Sequence, residues 1–187
     1  MQTSARLREF VQHQVSSAKD SEIDWDSQKR DWVDQVDKLY TKIKSFMKEL
    51  TEEGLVSIID DKTTLTEQYI GSYEISTMCM KIGHSTVLFK PIGTLIIAGR
   101  GRVDMEGPQG TVMFVLFGEG ERPVIKISVR ESSGPREEES EARPKPEAYE
   151  WVVAKVRGQR DYPLLNEDSF LEALKVVIGN VDSGPVE

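Results

Sequence analysis

Apolar side chains recur along this chain with two different periods, and the change of period divides it into parts. Trp32, Val36, Leu39, Ile43, Phe46 and Leu50 follow one another at alternating spacings of four and three residues, and Val33, Tyr40 and Met47 widen the stripe. That is the period of a helix, and a face this wide predicts packing against a sheet rather than a narrow two-helix seam. Acids come early (Asp31, Asp34, Asp37) and lysines late (Lys42, Lys44, Lys48), the order that the helix dipole favours. Asp24, Asp26 and Ser27 are candidate N-caps, and Gly54 is the predicted stop. A weaker stripe, Leu7, Phe10, Val11 and Val15, predicts an earlier helix over about Ser4–Ala18.

From Leu55 onward the pattern shortens to strands. Leu55–Ile59 predicts a short one. Tyr69–Ile82 contains a long one, with Tyr73, Ile75 and Cys79 on one face and Met78, Met80 and Ile82 on the other. Gly83-His84 reads as a two-residue hairpin turn with glycine first, and Thr86–Lys90 returns until Pro91 stops it. Thr94–Glu106, Thr111–Phe117 and Val124–Arg130 follow, separated by turn signals at Gly107-Pro108-Gln109-Gly110 and Gly118–Pro123. Tyr149–Arg157 is the last strand. Asn166 caps a final helix whose buried face is Phe170, Leu171, Leu174, Val177 and Ile178, and Gly179-Asn180 ends it. Sequential hairpins predict an antiparallel meander. The expected class is α+β: a meander of six to seven strands packed against two N-terminal helices and one C-terminal helix.

The length of 187 residues suits one domain. It is expected to comprise a helical part over 1–54, a sheet over 55–130, an insert over 131–147, and a last strand and helix over 148–180. The insert has Ala142 as its sole apolar residue, so it cannot offset its own ordering entropy and is expected to be disordered. The single cysteine, Cys79, excludes an internal disulfide. The N-terminus lacks the apolar core of a signal peptide and no apolar run has membrane-spanning length, so a cytoplasmic protein off the membrane is expected. The net charge of −8 is uneven: −4 over residues 1–61, +2 over 62–130 and −6 over 131–187. Such a balance favours solubility and basic partners and repels nucleic-acid phosphate.

Candidate chemistry concentrates on one predicted strand. Arg100, Arg102, Asp104 and Glu106 alternate, so all four share one face, while Val103 and Met105 face inward. Asp104 and Glu106 are spaced like a working carboxylate pair and the arginines could hold an anion, but an outer sheet face with mutually paired charges explains the same pattern. A two-residue turn at Pro108-Gln109 would set Asp104 opposite Met113 and Arg102 opposite Val115; a three-residue turn would set them opposite Phe114 and Leu116. Either way apolar side chains share the charged face.

Other motifs fall short. Gly99-Arg100-Gly101 lacks the third glycine and the following helix of a dinucleotide loop, and no phosphate-loop Gly-Lys-Ser/Thr occurs. Lys126 is preceded at two residues by Val124 rather than by the acid of a metal-dependent nuclease. His13 lies on a predicted helix; a Cys79–His84 pair could form across the hairpin, but a turn tip is normally solvated and a dyad also needs an orienting third group. No cofactor and no metal site is expected.

The expected function is a non-catalytic protein-binding module for a partner that is itself basic. Its architecture and charge resemble those of immunity proteins, antitoxins and secretion chaperones. The alternative is a hydrolase-type enzyme using Arg100, Arg102, Asp104 and Glu106. A further alternative is weak nucleic-acid binding through Arg100, Arg102, Arg122, Lys126 and Arg130, and the stripe Trp32, Val36, Leu39, Ile43, Phe46 and Leu50 is a candidate homo-oligomer seam.

Overall fold

The computed structural model describes residues 25–94, 99–121, 146, 148–154 and 162–179. The predicted helix over Ser4–Ala18, the predicted strand Val124–Arg130 and nearly all of the insert lie outside them. The described chain runs α1 (Trp25–Phe46), α2 (Lys48–Glu52), β1 (Val56–Glu67), β2 (Gly71–Ile82), β3 (Ser85–Gly93), β4 (Gly101–Gly107), β5 (Gly110–Gly118), β6 (Tyr149–Ala154) and α3 (Glu167–Ile178). The six strands form one antiparallel sheet in meander order, β1 through β6. The expected α+β architecture is therefore the one found.

The helical stripe is consumed within the chain. Trp32, Val36, Leu39 and Ile43 are almost completely buried, and Phe46 packs on the same core. Those four side chains are therefore not available to a second copy, and Val33 beside them is only partly buried. Tyr40 is buried too; its hydroxyl donates to the Phe89 carbonyl at 3.2 Å and its ring meets Phe89 edge-on. The stripe does not reach Leu50 as predicted. The helix breaks at Met47, so Leu50 belongs to α2 and is exposed. Gly54, at φ +74°, ends α2 as expected.

α3 shares the same face of the sheet, with Phe46 of α1 against Phe170 of α3 at 5.8 Å and Phe170 stacked on Phe114. Asn166 caps it as predicted: its side chain accepts from the Ser169 N–H at 2.8 Å, and the Ser169 hydroxyl accepts from the Asn166 N–H in return. Its buried face is Phe170, Ala173, Leu174 and Val177, whereas Leu171 is exposed. Between the helices, Val87, Phe89, Val103, Met105, Phe114, Leu116 and Val153 complete the core.

Three strands depart from expectation, and the first is β4, which begins at Gly101 rather than at Thr94. β1 is a twelve-residue strand rather than a short one, pairing with β2 without a break from Val56–Ile82 to Glu67–Gly71. Residues 59–64 are exposed on both faces, so no alternation marked them as a strand. β3 runs through Pro91 instead of stopping there, with a register shift between Pro91 and Gly93. Its pairing to β2 ends at Phe89, so at Pro91 the ring meets no β2 ladder.

The ladder stopping at Phe89 leaves the outer half of the β1–β2 hairpin as a two-stranded ribbon. Near the body, Val56, Ile58, Met78 and Met80 face the core; nearer the tip, Leu65, Glu67, Tyr73 and Ile75 do. Those sets have opposite parity, so the ribbon presents one face and then the other, in an unbroken register. Two-stranded ribbons twist most strongly, which permits this.

Gly101 fixes the seat of α1. A Cβ there would lie 2.2 Å from the Trp32 ring, so the indole rests directly on the β4 backbone. Gly101→Ala should destabilise the fold by about 1–3 kcal/mol through overpacking, read as a lower urea midpoint at unchanged slope.

Candidate functional site

The outer face of the sheet is built by alternation. The hairpin Gly107–Gly110 has the two-residue turn, which sets Asp104 opposite Met113 and Arg102 opposite Val115. Val103 and Met105 point into the core, leaving Arg102, Asp104 and Glu106 outward. The predicted face assignment holds for these three, whereas Arg100 lies before the strand begins.

Each charge on that strand has a partner. The Arg102 guanidinium forks onto Asp104 of its own strand, with Nε–Oδ1 at 2.5 Å and Nη2–Oδ2 at 2.7 Å. Asp104 is only 7% exposed, covered by that fork and by the neighbouring strands. Lys90 of β3 donates to Glu106, the residue two places on from the one it faces. Arg100, just before β4, forks onto Glu121 beyond β5, with Nε–Oε2 at 2.7 Å and Nη2–Oε1 at 2.5 Å. Glu121 also accepts from the Gly118 N–H at 3.0 Å. Hydrogen bonding to these carboxylates raises both guanidinium pKa values above the ordinary arginine range. Of the four predicted residues only Arg102, Asp104 and Glu106 share the outer face of β4: Arg100 precedes the strand, where its N–H and Gly101 both meet Leu116, and turns to Glu121.

Beside these ion pairs an apolar row crosses the outer face, flanked by Ser57, Lys81 and Thr86. Ile59, Cys79 and Leu88 stand directly opposite one another on β1, β2 and β3. Ile59 is 49% and Leu88 36% exposed, and Ile92, in the irregularity of β3, is exposed beyond them. Met113 and Val115 are half-buried. Cys79 faces Leu88, three residue pairs from the His84 turn, or about 10 Å along the strand from its rise. Among the described residues no group of three or more His, Cys, Asp or Glu side chains could hold a metal ion.

A second polar cluster escaped the sequence. Glu67, at the end of β1, is buried. Its carboxylate accepts from the Tyr73 hydroxyl, from the Thr94 N–H at 2.7 Å and from the Thr94 hydroxyl at 2.9 Å. Gly93 makes room: a Cβ there would stand 2.7 Å from the Glu67 carboxylate. This carboxylate ties the ribbon to the end of β3 where the ladder between β2 and β3 has stopped. Nearby, an open groove of about 380 Å³ runs between α1 and β2, lined by Lys29, Arg30, Asp34, Asp37, Tyr73 and Glu74. It has the openness of a surface cleft rather than the enclosure of a ligand pocket.

The chain matches no protein-family model, no curated protein and no solved structure. No helix among the described residues is long and apolar enough to cross a membrane.

Two predictions follow from these clusters. Arg102→Met would leave Asp104 covered and unpaired. It should destabilise by about 1–3 kcal/mol, a partly exposed version of breaking a buried pair. Asp104→Asn should cost less, because it removes the charge that needs the fork; paired urea titrations compare them. The second concerns alkali. Burial raises the phenols of Tyr40 and Tyr73, the latter helped by Glu67, and pushes Tyr149 beside Asp31 up from 10.0 to about 12. The fold therefore favours the neutral phenols. That stability is complete below pH 10 and is lost as pH climbs toward 12 and beyond. Tyrosinate absorbance should then rise together with loss of tertiary circular dichroism, and Tyr73→Phe should shift that transition to higher pH.

Proposed function

We propose that this protein is a non-catalytic binding module that engages another protein through the outer face of its sheet, in the manner of immunity proteins, antitoxins or chaperones. The observation that carries this reading is the composition of that face. Exposed Leu88 and Ile92 lie beside charges already held in pairs on β3 and β4, and Ile59 continues the apolar row to the edge of the sheet. Apolar side chains framed by fixed polar groups give a partner something to desolvate without unpairing buried charge.

The hydrolase alternative assigns base chemistry to Asp104 and Glu106. Both oxygens of Asp104 lie on Arg102, and Glu106 is held by Lys90, so either carboxylate must leave a cation before taking a proton. Nucleic-acid binding would draw on Arg100 and Arg102, whose charges are matched by Glu121 and Asp104. A basic partner remains the reading that suits a net charge of −8.

The test is capture from the native host with tagged wild type and with Leu88→Lys, at low and high salt, read by mass spectrometry. The expected result is a basic protein held by wild type, weakened by salt and lost from Leu88→Lys. Identical proteins on both baits would remove the outer face from the account.

A further inference from the structure

The row Ile59–Cys79–Leu88 has an end. It starts on β3, crosses β2 and stops at β1, which is the edge of the sheet. The two edges differ. At β6 the edge is closed by the chain itself: the Val153 N–H donates to the Pro163 carbonyl at 2.9 Å and the Leu165 N–H to the Trp151 carbonyl at 2.8 Å. Among the described residues no strand pairs with the outer edge of β1, which runs for twelve residues without a bulge, and the Lys62 N–H is capped by the Asp61 carboxylate at 2.8 Å. A long edge of this kind offers its outward N–H and C=O groups to another strand.

We propose that the outer edge of β1 takes an extended segment of the partner protein as an added strand, with an apolar residue opposite Ile59 and a basic residue opposite Asp61, two positions away. This rests on the protein-binding reading above and names its mode. The apolar residue would be the next member of the row Ile59–Cys79–Leu88, sharing its face by strand alternation. The basic residue would meet Asp61, which is exposed on the same face of the strand as Ile59 and whose carboxylate, with one oxygen on the Lys62 N–H at 2.8 Å, keeps its charge toward solvent. Main-chain hydrogen bonds supply affinity in such additions, and alternate side chains supply the choice of segment.

The same edge disfavours a second copy. In an antiparallel pair about a two-fold axis, opposed residues share a face, so the axis must pass through a residue and its own symmetry mate. Centred on the middle of the exposed stretch, that residue is Asp60, Asp61 or Lys62, each set against its own charge. Directly opposed like charges destabilise a strand pair. A two-fold pair centred on any of those three residues is therefore disfavoured.

The probe is a synthetic peptide, Lys-Thr-Val-Thr-Lys-Thr-Val-Thr-Lys, whose alternation satisfies the pattern in either strand direction. The control is a peptide of the same composition with the alternation lost. Binding to the full chain is read by fluorescence anisotropy and by hydrogen exchange of the β1 amides. The alternating peptide should bind more tightly than the control and slow exchange within residues 59–64. Asp61→Lys, an exposed change, should weaken it roughly tenfold, because an attractive cross-strand pair becomes a repulsive one. A peptide with Glu in place of each Lys should then prefer the Asp61→Lys protein. Equal binding of the control, indifference to Asp61→Lys, or β1 amides already protected without peptide would each overturn the proposal. If the captured host partner is lost from Leu88→Lys but kept by Asp61→Lys, strand addition falls and the binding reading stands.

Discussion

Trp32 resting on the backbone at Gly101 is the contact from which the rest of this structure takes its geometry. A glycine on β4 lets an indole approach where any side chain would hold it off. That approach sets how close α1 lies to the sheet. It brings Trp32 to 6.0 Å from Trp151 of β6 and places Tyr40 against Phe89 of β3. α1 is thereby locked across strands distant in sequence. The inner face is filled by α1 and α3, and among the described residues no helix covers the outer face. A similar close approach recurs at the other end of β4. There the backbone at Gly107 lies against the Val177 carbonyl, and the Gln109 N–H donates to it at 2.9 Å.

The outer face then has to reconcile charge with burial. Asp104 is the most buried acid on it, and its neighbours across the strands are Lys90 and Met113. A buried carboxylate is tolerated when its oxygens are matched. Here the match comes from Arg102 two residues earlier on the same strand, while Lys90 turns instead to Glu106. The consequence is a face whose β3 and β4 charges are settled against one another and whose exposed apolar residues are not. That division, more than net charge, is what supports a docking role.

Much of this was legible in the sequence, and what was illegible has a physical reason. The α1 stripe, the Gly107–Gly110 turn, the Asn166 cap and the charged alternation of β4 all follow from local periods and turn chemistry. Leu50 was misplaced because the helix breaks at Met47, a tertiary choice that no spacing reports. Most of β1 was invisible because residues 59–64 bury neither face. Pro91 was read as a stop because its effect depends on whether a neighbour pairs there, which is a matter of sheet topology. Glu67 gave no signal, since its acceptor role involves Thr94, twenty-seven residues away. The alternation of Arg102 and Asp104 showed a shared face but could not decide whether each would pair along the strand or across it.

The inverted face of the β1–β2 ribbon carries a consequence for how substitutions would be tolerated there. In an ordinary strand the sensitive positions keep one parity from end to end. Here the even positions Val56, Ile58, Met78 and Met80 are the intolerant ones near the body, and the odd positions Leu65, Glu67, Tyr73 and Ile75 are the intolerant ones near the tip. The pairing never slips. A map of mutational tolerance along this hairpin would therefore shift phase by one residue midway, and would look like an insertion where the chain has none.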